Sequence, residues 1–130
     1  MNDITYFILR IAIGFSAFGH GLVRLPKLDK FSAWMVTGFE KTMLPRALVL
    51  PFSYILPFAE FAVGLLLILG LFTKPAIYLG VTVMCMLILG TTLQENWDAI
   101  PSQLIHIAFL AVLFQFLSSN TKSLDHLIKK

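Results

Sequence analysis

The hydrophobic positions of this 130-residue chain are grouped into four long apolar segments, which are separated by short polar ones. The apolar segments occupy about residues 4–25, 47–72, 75–93 and 102–117. An α-helix needs about 20 mostly apolar residues to cross the roughly 30 Å hydrocarbon core of a bilayer. The pattern therefore predicts an all-α integral membrane protein, a four-helix bundle within a single membrane domain of residues 1–130.

Prolines mark the boundaries of these predicted helices. Pro75 and Pro101 lie at the start of the third and fourth segments, where the first turn of a helix tolerates a residue without an N–H. Pro57 lies deeper in the second segment and removes a backbone donor three residues before Glu60. We therefore expect a bend in the second helix beside this carboxylate.

The polar connection between the first two segments has the pattern of an amphipathic helix over about residues 28–43. Its apolar side chains recur on one helical face and its charged ones fall away from that face. The apolar set is Leu28, Phe31, Met35, Phe39 and Met43, and the charged set is Lys30, Glu40 and Lys41. The pattern predicts a helix at the membrane interface, lying as a cap or lid over the helix ends.

Composition agrees with this interpretation and excludes some classes of function. Apolar residues make up 58% of the chain, charged residues 13%, and the mean hydropathy is +0.84. A soluble domain of this length has no need for so much apolar surface, so the main partner is the lipid bilayer. The net charge of +3 comes without a basic stripe interleaved with aromatic residues, and we expect no nucleic-acid partner.

Four ionisable side chains lie within the predicted spans: Arg10, His20, Glu60 and His106. Each costs about 2.5 to 3.5 kcal/mol at the centre of an inserted helix, so such residues usually face the protein interior and have partners. Depths counted at about 1.5 Å per residue bring Arg10 and Glu60 within reach of each other. The sequence thus predicts an ion pair between Arg10 and Glu60, which either organises a ligand site or only fixes helix register.

His20 and His106 form a second predicted pair. They lie at similar depths near the end of the first helix and the start of the fourth, and these helices are neighbours in a closed four-helix bundle. Bis-histidine haem ligation is chemically allowed, but nothing else in the sequence requires haem. We expect no metal site, because a clear third ligand is missing and Glu60 is placed too deep to serve. The remaining interpretations are ordinary hydrogen-bonding histidines, or a pocket beneath the lid in which His20 bonds the head group of a quinone-like amphiphile.

The run LRIAIGFSAFGHGLVRL resembles the first-helix motif of the DoxX family, a group of small four-helix bacterial membrane proteins. The likeness extends along nearly the whole chain. The matching positions are Arg10, Gly14, His20 and Gly21 in the first helix, Glu60, Gly64, Gly70, Thr73 and Lys74 in and after the second, and Ser123, Leu124 and Asp125 near the C-terminus. The chain departs from the family at Arg24, where a lysine is common, and at Gln103 and His106, near which the family often has a glutamate.

The resemblance implies a multi-pass protein of the bacterial inner membrane with cytoplasmic termini. Family members are linked to respiratory and sulfur redox chemistry, as in the DoxD subunit of thiosulfate:quinone oxidoreductase, and to complexes that handle thiol and oxidative stress. The chain has one cysteine, Cys85, and therefore no redox dithiol of its own. We expect an accessory subunit that binds a quinone-like amphiphile or docks a redox partner, alone or as a homodimer. The alternatives are a small proton-coupled transporter that uses Glu60, and a structural scaffold without chemistry.

Overall fold

The computed structural model describes residues 1–129, which form α-helices and short 3₁₀ turns without a β-strand. The helices are α1 (Asp3–Arg24), α2 (Leu28–Gly38), α3 (Arg46–Leu69), α4 (Thr73–Leu93), α5 (Ile100–Gln115) and α6 (Leu124–Ile128). Four helical segments are long and apolar enough to cross a membrane: Asp3–Gly38, Arg46–Leu69, Thr73–Leu93 and Trp97–Gln115. The prediction of an all-α membrane bundle is confirmed.

The four long helices form a ring in which α1 packs on α3, α3 on α4, α4 on α5 and α5 on α1. Successive long helices run in opposite directions, so the start of α1, the α3–α4 turn and the C-terminal residues meet at one end of the bundle. We call this end the terminal face. The opposite end, which carries α2 and the end of α4, is the lid face.

Close contact between α1 and α3 is the most extensive packing in the bundle. A Cβ atom added at Gly21 would lie 2.6 Å from the carbonyl oxygen of Pro57, and one at Gly64 would overlap the backbone of Phe18. Lipid is as apolar as the helix surfaces, so membrane helices associate through van der Waals contact and hydrogen bonds rather than the hydrophobic effect. Glycine at these positions allows the two backbones to touch.

The terminal face is closed by the C-terminal segment 119–128, which we call the C-terminal clasp. Arg10 is 1% exposed, and its guanidinium donates to Oδ1 of Asn120 at 2.7 Å and to the carbonyl of Lys122 at 3.0 Å. The amide of Asn120 in turn donates to the hydroxyl of Thr73 at 3.1 Å. One buried side chain of α1 therefore fastens the clasp to the start of α4.

Asp125 of the clasp caps α4 from outside that helix. Its two carboxylate oxygens accept the N–H groups of Phe72 at 2.7 Å and Thr73 at 2.8 Å, and its own N–H donates to the carbonyl of Gly70 at 2.9 Å. Gly70 has a φ of 68° and ends α3 in the left-handed conformation that glycine adopts without strain. Burial alone would raise the pKa of the Asp125 carboxyl, but the hydrogen bonds from Thr73 and Phe72 outweigh it, so the pKa lies below its ordinary value.

The amphipathic helix α2 covers the lid face but is shorter than its sequence pattern predicts. Phe31 and Met35 are buried in a cluster with Leu56 of α3, whereas Met43 is 82% exposed. The helix ends at Gly38 because the chain turns there: the hydroxyl of Thr42 donates back to the carbonyl of Phe39, and Pro45 follows. Residues 39–43 therefore belong to a turn and not to the helix.

The contact between α1 and α3 can be tested with two matched glycine substitutions in the bundle. We expect Gly64→Ala to lower the free energy of unfolding by about 1 to 3 kcal/mol, the usual cost of forcing extra atoms into a packed site. Gly19→Ala adds the same methyl group to α1 where nothing lies within 4 Å, and should be neutral or slightly stabilising. Unfolding in detergent micelles measures both, and equal effects would contradict the close approach.

The cap on α4 predicts that Asp125→Asn lowers the free energy of unfolding by an amount that depends on pH. An amide has one acceptor oxygen where the carboxylate has two, so one N–H at the start of α4 loses its partner, at a cost of roughly 0.5 to 2 kcal/mol. The lowered pKa means that the carboxylate's stabilisation is present above about pH 4 and is lost as the pH falls through the folded-state value. The stability difference from wild type should therefore shrink in acid. Asp98→Asn, an exposed carboxylate on the lid face, is the control.

Candidate ligand-binding site

A cavity of about 310 Å³ lies on the lid side of the bundle, between the long helices and α2. This volume is at the lower end of the roughly 300 to 1,000 Å³ of small-molecule pockets. Its apolar wall includes Phe31, Trp34, Met35, Leu56, Met84 and Leu87, and its polar wall includes His20, Arg24, Glu60, Gln103 and His106. An apolar enclosure with a few convergent polar groups is the usual form of a site for an amphiphilic molecule.

An ion pair between Arg24 and Glu60 crosses from α1 to α3 at the edge of this cavity. Nη1 of Arg24 lies 3.1 Å from Oε1 and 3.4 Å from Oε2 of Glu60, whose side chain is 5% exposed. The guanidinium carbon also lies 4.4 Å from the centre of the Phe31 ring, a distance typical of a cation–π contact. One arginine thus joins α1, α3 and α2.

The predicted ion pair between Arg10 and Glu60 is wrong, and Arg24 takes the place of Arg10. Arg10 lies 14 residues before Arg24 in the same helix, about 21 Å away along its axis, and binds the C-terminal clasp. Helical side chains lean towards the N-terminus of their helix. Arg10 therefore leans towards the terminal face, while Arg24 leans back into the bundle to meet Glu60, which leans towards the lid face from the antiparallel α3.

His20 and His106 come together as their depths in the sequence predict, with ring centres 6.0 Å apart. Nδ1 of His20 lies 2.6 Å from the carbonyl oxygen of Ser16, and Nδ1 of His106 lies 2.7 Å from that of Ser102. A carbonyl oxygen only accepts, so each Nδ1 carries a hydrogen, and each neutral ring has Nε2 as its acceptor.

The two acceptor nitrogens of this histidine pair differ in their surroundings. Nε2 of His106 accepts the hydroxyl of Ser16 at 2.6 Å. Nε2 of His20 has no partner among residues 1–129, and His20 is an exposed residue that lines the cavity. His20 is therefore free to bond a ligand, whereas His106 is held by the protein.

Glu60 lines the same cavity as both histidines, although its depth in the sequence suggested that it would lie too far away. The antiparallel lean of α1 and α3 brings the carboxylate up to the lid side. Within residues 1–129, no group of three or more histidine, cysteine, aspartate or glutamate side chains has the spacing to hold a metal ion.

Sequence reasoning did not assign three polar residues to this region: Ser16, and Arg24 and Gln103, which were noted only as departures from the family pattern. Arg24 follows His20 by four residues and so shares its helical face, a spacing that could have identified it. The hydroxyl of Ser16 gave no signal, because serine is common in membrane helices. Gln103 donates to the hydroxyl of Thr91 at 2.9 Å, and its Oε1 is buried without a partner in the part of the chain that the structure describes.

Four antiparallel spans, an amphipathic cap helix and a polar cluster beneath it define a multi-pass α-helical membrane protein. The sequence model of the DoxX family matches residues 5–93, from the third residue of α1 to the end of α4, and the chain belongs to the DoxX family. Searches of curated proteins and of solved structures gave no match. The matched region includes Arg10, His20, Arg24 and Glu60 but ends before His106 and the Ser-Leu-Asp sequence of the clasp.

A double-mutant cycle tests which arginine pairs with Glu60. Arg24→Gln and Glu60→Gln should show a coupling energy in unfolding of roughly 0.5 to 3 kcal/mol, as residues in one ion pair do. Arg10→Gln combined with Glu60→Gln should be additive within about 0.5 kcal/mol, because the two sites share no partner. Coupling in the Arg10 cycle equal to that in the Arg24 cycle would contradict the assignment.

Proposed function

We propose that this protein is a redox-linked accessory subunit of the membrane that binds the head group of a quinone-like amphiphile in the cavity beneath α2. His20, Arg24 and Glu60 supply the polar contacts, with His106 supporting His20. Arg10, which was expected at this site, acts as a structural anchor of the C-terminal clasp.

The observation that carries this proposal is the composition of the cavity wall. Ring-bearing amphiphiles need flat apolar contact for the ring and a few polar atoms for its oxygens. Phe31, Trp34 and Met84 offer the first, and His20 and Arg24 offer the second. Trp34 is 69% exposed, and tryptophan is favoured at the level of lipid head groups, where such a molecule would enter.

The closed terminal face favours binding over conduction. Between the cavity and the clasp the bundle is filled by a buried apolar cluster that includes Ile13, Leu67, Ile77 and Leu113. A proton-coupled transporter that uses Glu60 would need a polar path through this region. The cavity is therefore better suited to holding a molecule than to passing one across the membrane.

The proposed redox role and membrane location rest on membership of the DoxX family and not on the cavity. The DoxX likeness supports a bacterial inner-membrane protein with cytoplasmic termini, a redox partner subunit, and a homodimer as a further form of assembly. The single cysteine of the chain cannot shuttle electrons as a dithiol. Electron transfer would therefore use the bound amphiphile or a partner's centre.

The binding proposal can be tested with 2-decyl-1,4-benzoquinone in lipid nanodiscs, read by quenching of tryptophan fluorescence. In a Trp97→Phe background, the remaining Trp34 lines the cavity, and its quenching should saturate. The reduced form, 2-decyl-1,4-hydroquinone, carries a hydroxyl donor that Nε2 of His20 can accept, so it should displace the quinone and relieve the quenching. Adding His20→Ala removes that hydrogen bond and should weaken hydroquinone binding roughly threefold to tenfold.

The chain provides two controls for this experiment. His126→Ala removes the third histidine, which lies in the clasp at the terminal face, and should leave the affinity unchanged. A Trp34→Phe protein that retains Trp97 reports quenching by quinone dissolved in the lipid. If quenching of Trp34 by the quinone does not saturate, or His20→Ala binds the hydroquinone as tightly as wild type does, the proposed site is wrong.

A further inference from the structure

The hydrogen-bonding groups of the cavity restrict which head groups can satisfy them. Nδ1 of His20 is committed to the carbonyl of Ser16 at 2.6 Å, so the neutral ring presents Nε2 as an acceptor without a partner among residues 1–129. Among residues 1–129, the carboxylate of Glu60 accepts only from Nη1 of Arg24, which leaves further lone pairs on its two oxygens. The ligand must therefore supply a hydrogen-bond donor.

Arg24 adds the opposite requirement on the same side of the cavity. Its guanidinium has five N–H donors and no acceptor, and only Nη1 is engaged with Glu60. A ligand oxygen beside Arg24 and His20 is thus best satisfied when it accepts from one and donates to the other. A hydroxyl group does both, whereas a carbonyl or an ether oxygen only accepts.

His106 and Ser16 together fix the orientation in which His20 presents its acceptor nitrogen. His106 already accepts from Ser16, and Ser16 provides the carbonyl that holds His20. The carbonyl of Ser16 therefore holds the ring of His20, and its hydroxyl holds the ring of His106. This arrangement leaves Nε2 of His20 available to a ligand without a change in the conformation of α1.

We propose that the cavity selects amphiphiles whose head group carries a hydroxyl donor, a phenol or hydroquinone, over the corresponding carbonyl or ether compounds. This inference rests on the proposed function, because it concerns the same cavity. The head-group hydroxyl donates to Nε2 of His20 and accepts from Arg24. Burying an acceptor without a donor costs binding free energy, so a site of this kind rejects molecules that lack the donor.

The test uses 4-decylphenol and 4-decylanisole, which differ only in a methyl group that replaces the hydroxyl hydrogen. Isothermal titration calorimetry of the protein in nanodiscs at pH 8, with empty nanodiscs subtracted, measures both affinities. We expect the phenol to bind about tenfold more tightly than the anisole. In His20→Phe, which keeps an aromatic ring but removes the acceptor, this ratio should fall below about threefold.

Each outcome of the calorimetry has a separate meaning. Equal affinities for phenol and anisole in the wild type would overturn the hydroxyl preference while leaving the proposed binding function intact. A tenfold ratio that persists in His20→Phe would also overturn it, since the methyl group would then be rejected by its size. If neither compound binds above the nanodisc background, and the quinone also fails to bind, the proposed function itself is wrong.

Discussion

The close approach of α1 and α3 is the constraint on which the rest of this structure depends. Gly21 and Gly64 bring the two backbones into contact, and no larger residue fits at either position without moving a helix. The distance between the helices decides whether Arg24 reaches Glu60, and a wider separation would leave a carboxylate alone in the bundle. The ion pair between Arg24 and Glu60 therefore depends on the close helix packing that the glycines allow.

The polar residues of the interior are divided between the two ends of the bundle, and each end has its own arginine. Arg10 at the terminal face is buried, and its guanidinium donates to Oδ1 of Asn120 and to the carbonyl of Lys122. Arg24 at the lid face borders a cavity and is 25% exposed. The same side chain is thus a structural fastener at one end and an accessible charge at the other.

Much of the fold could be predicted from the sequence, whereas the pairing at the site could not. Hydropathy alone identified the four spans, because lipid tolerates only long apolar helices, and equal depth brought His20 beside His106. The predicted partner of Glu60 was wrong because counting residues along a helix locates the Cα atoms and ignores the direction in which the side chains lean. The end of α2 at Gly38 depended on a local turn around Thr42, which amphipathic periodicity does not register.

The distance in sequence between Asp125 and the helix that it caps has a consequence for biosynthesis. Synthesis reaches α4 more than 50 residues before Asp125, since the capped N–H groups belong to Phe72 and Thr73. While the later helix is still being made, the start of α4 must rely on water or lipid head groups for its hydrogen bonds. Docking of residues 119–128 then replaces these contacts with hydrogen bonds to the protein itself, so the start of α4 is fully capped only after α5 has been made.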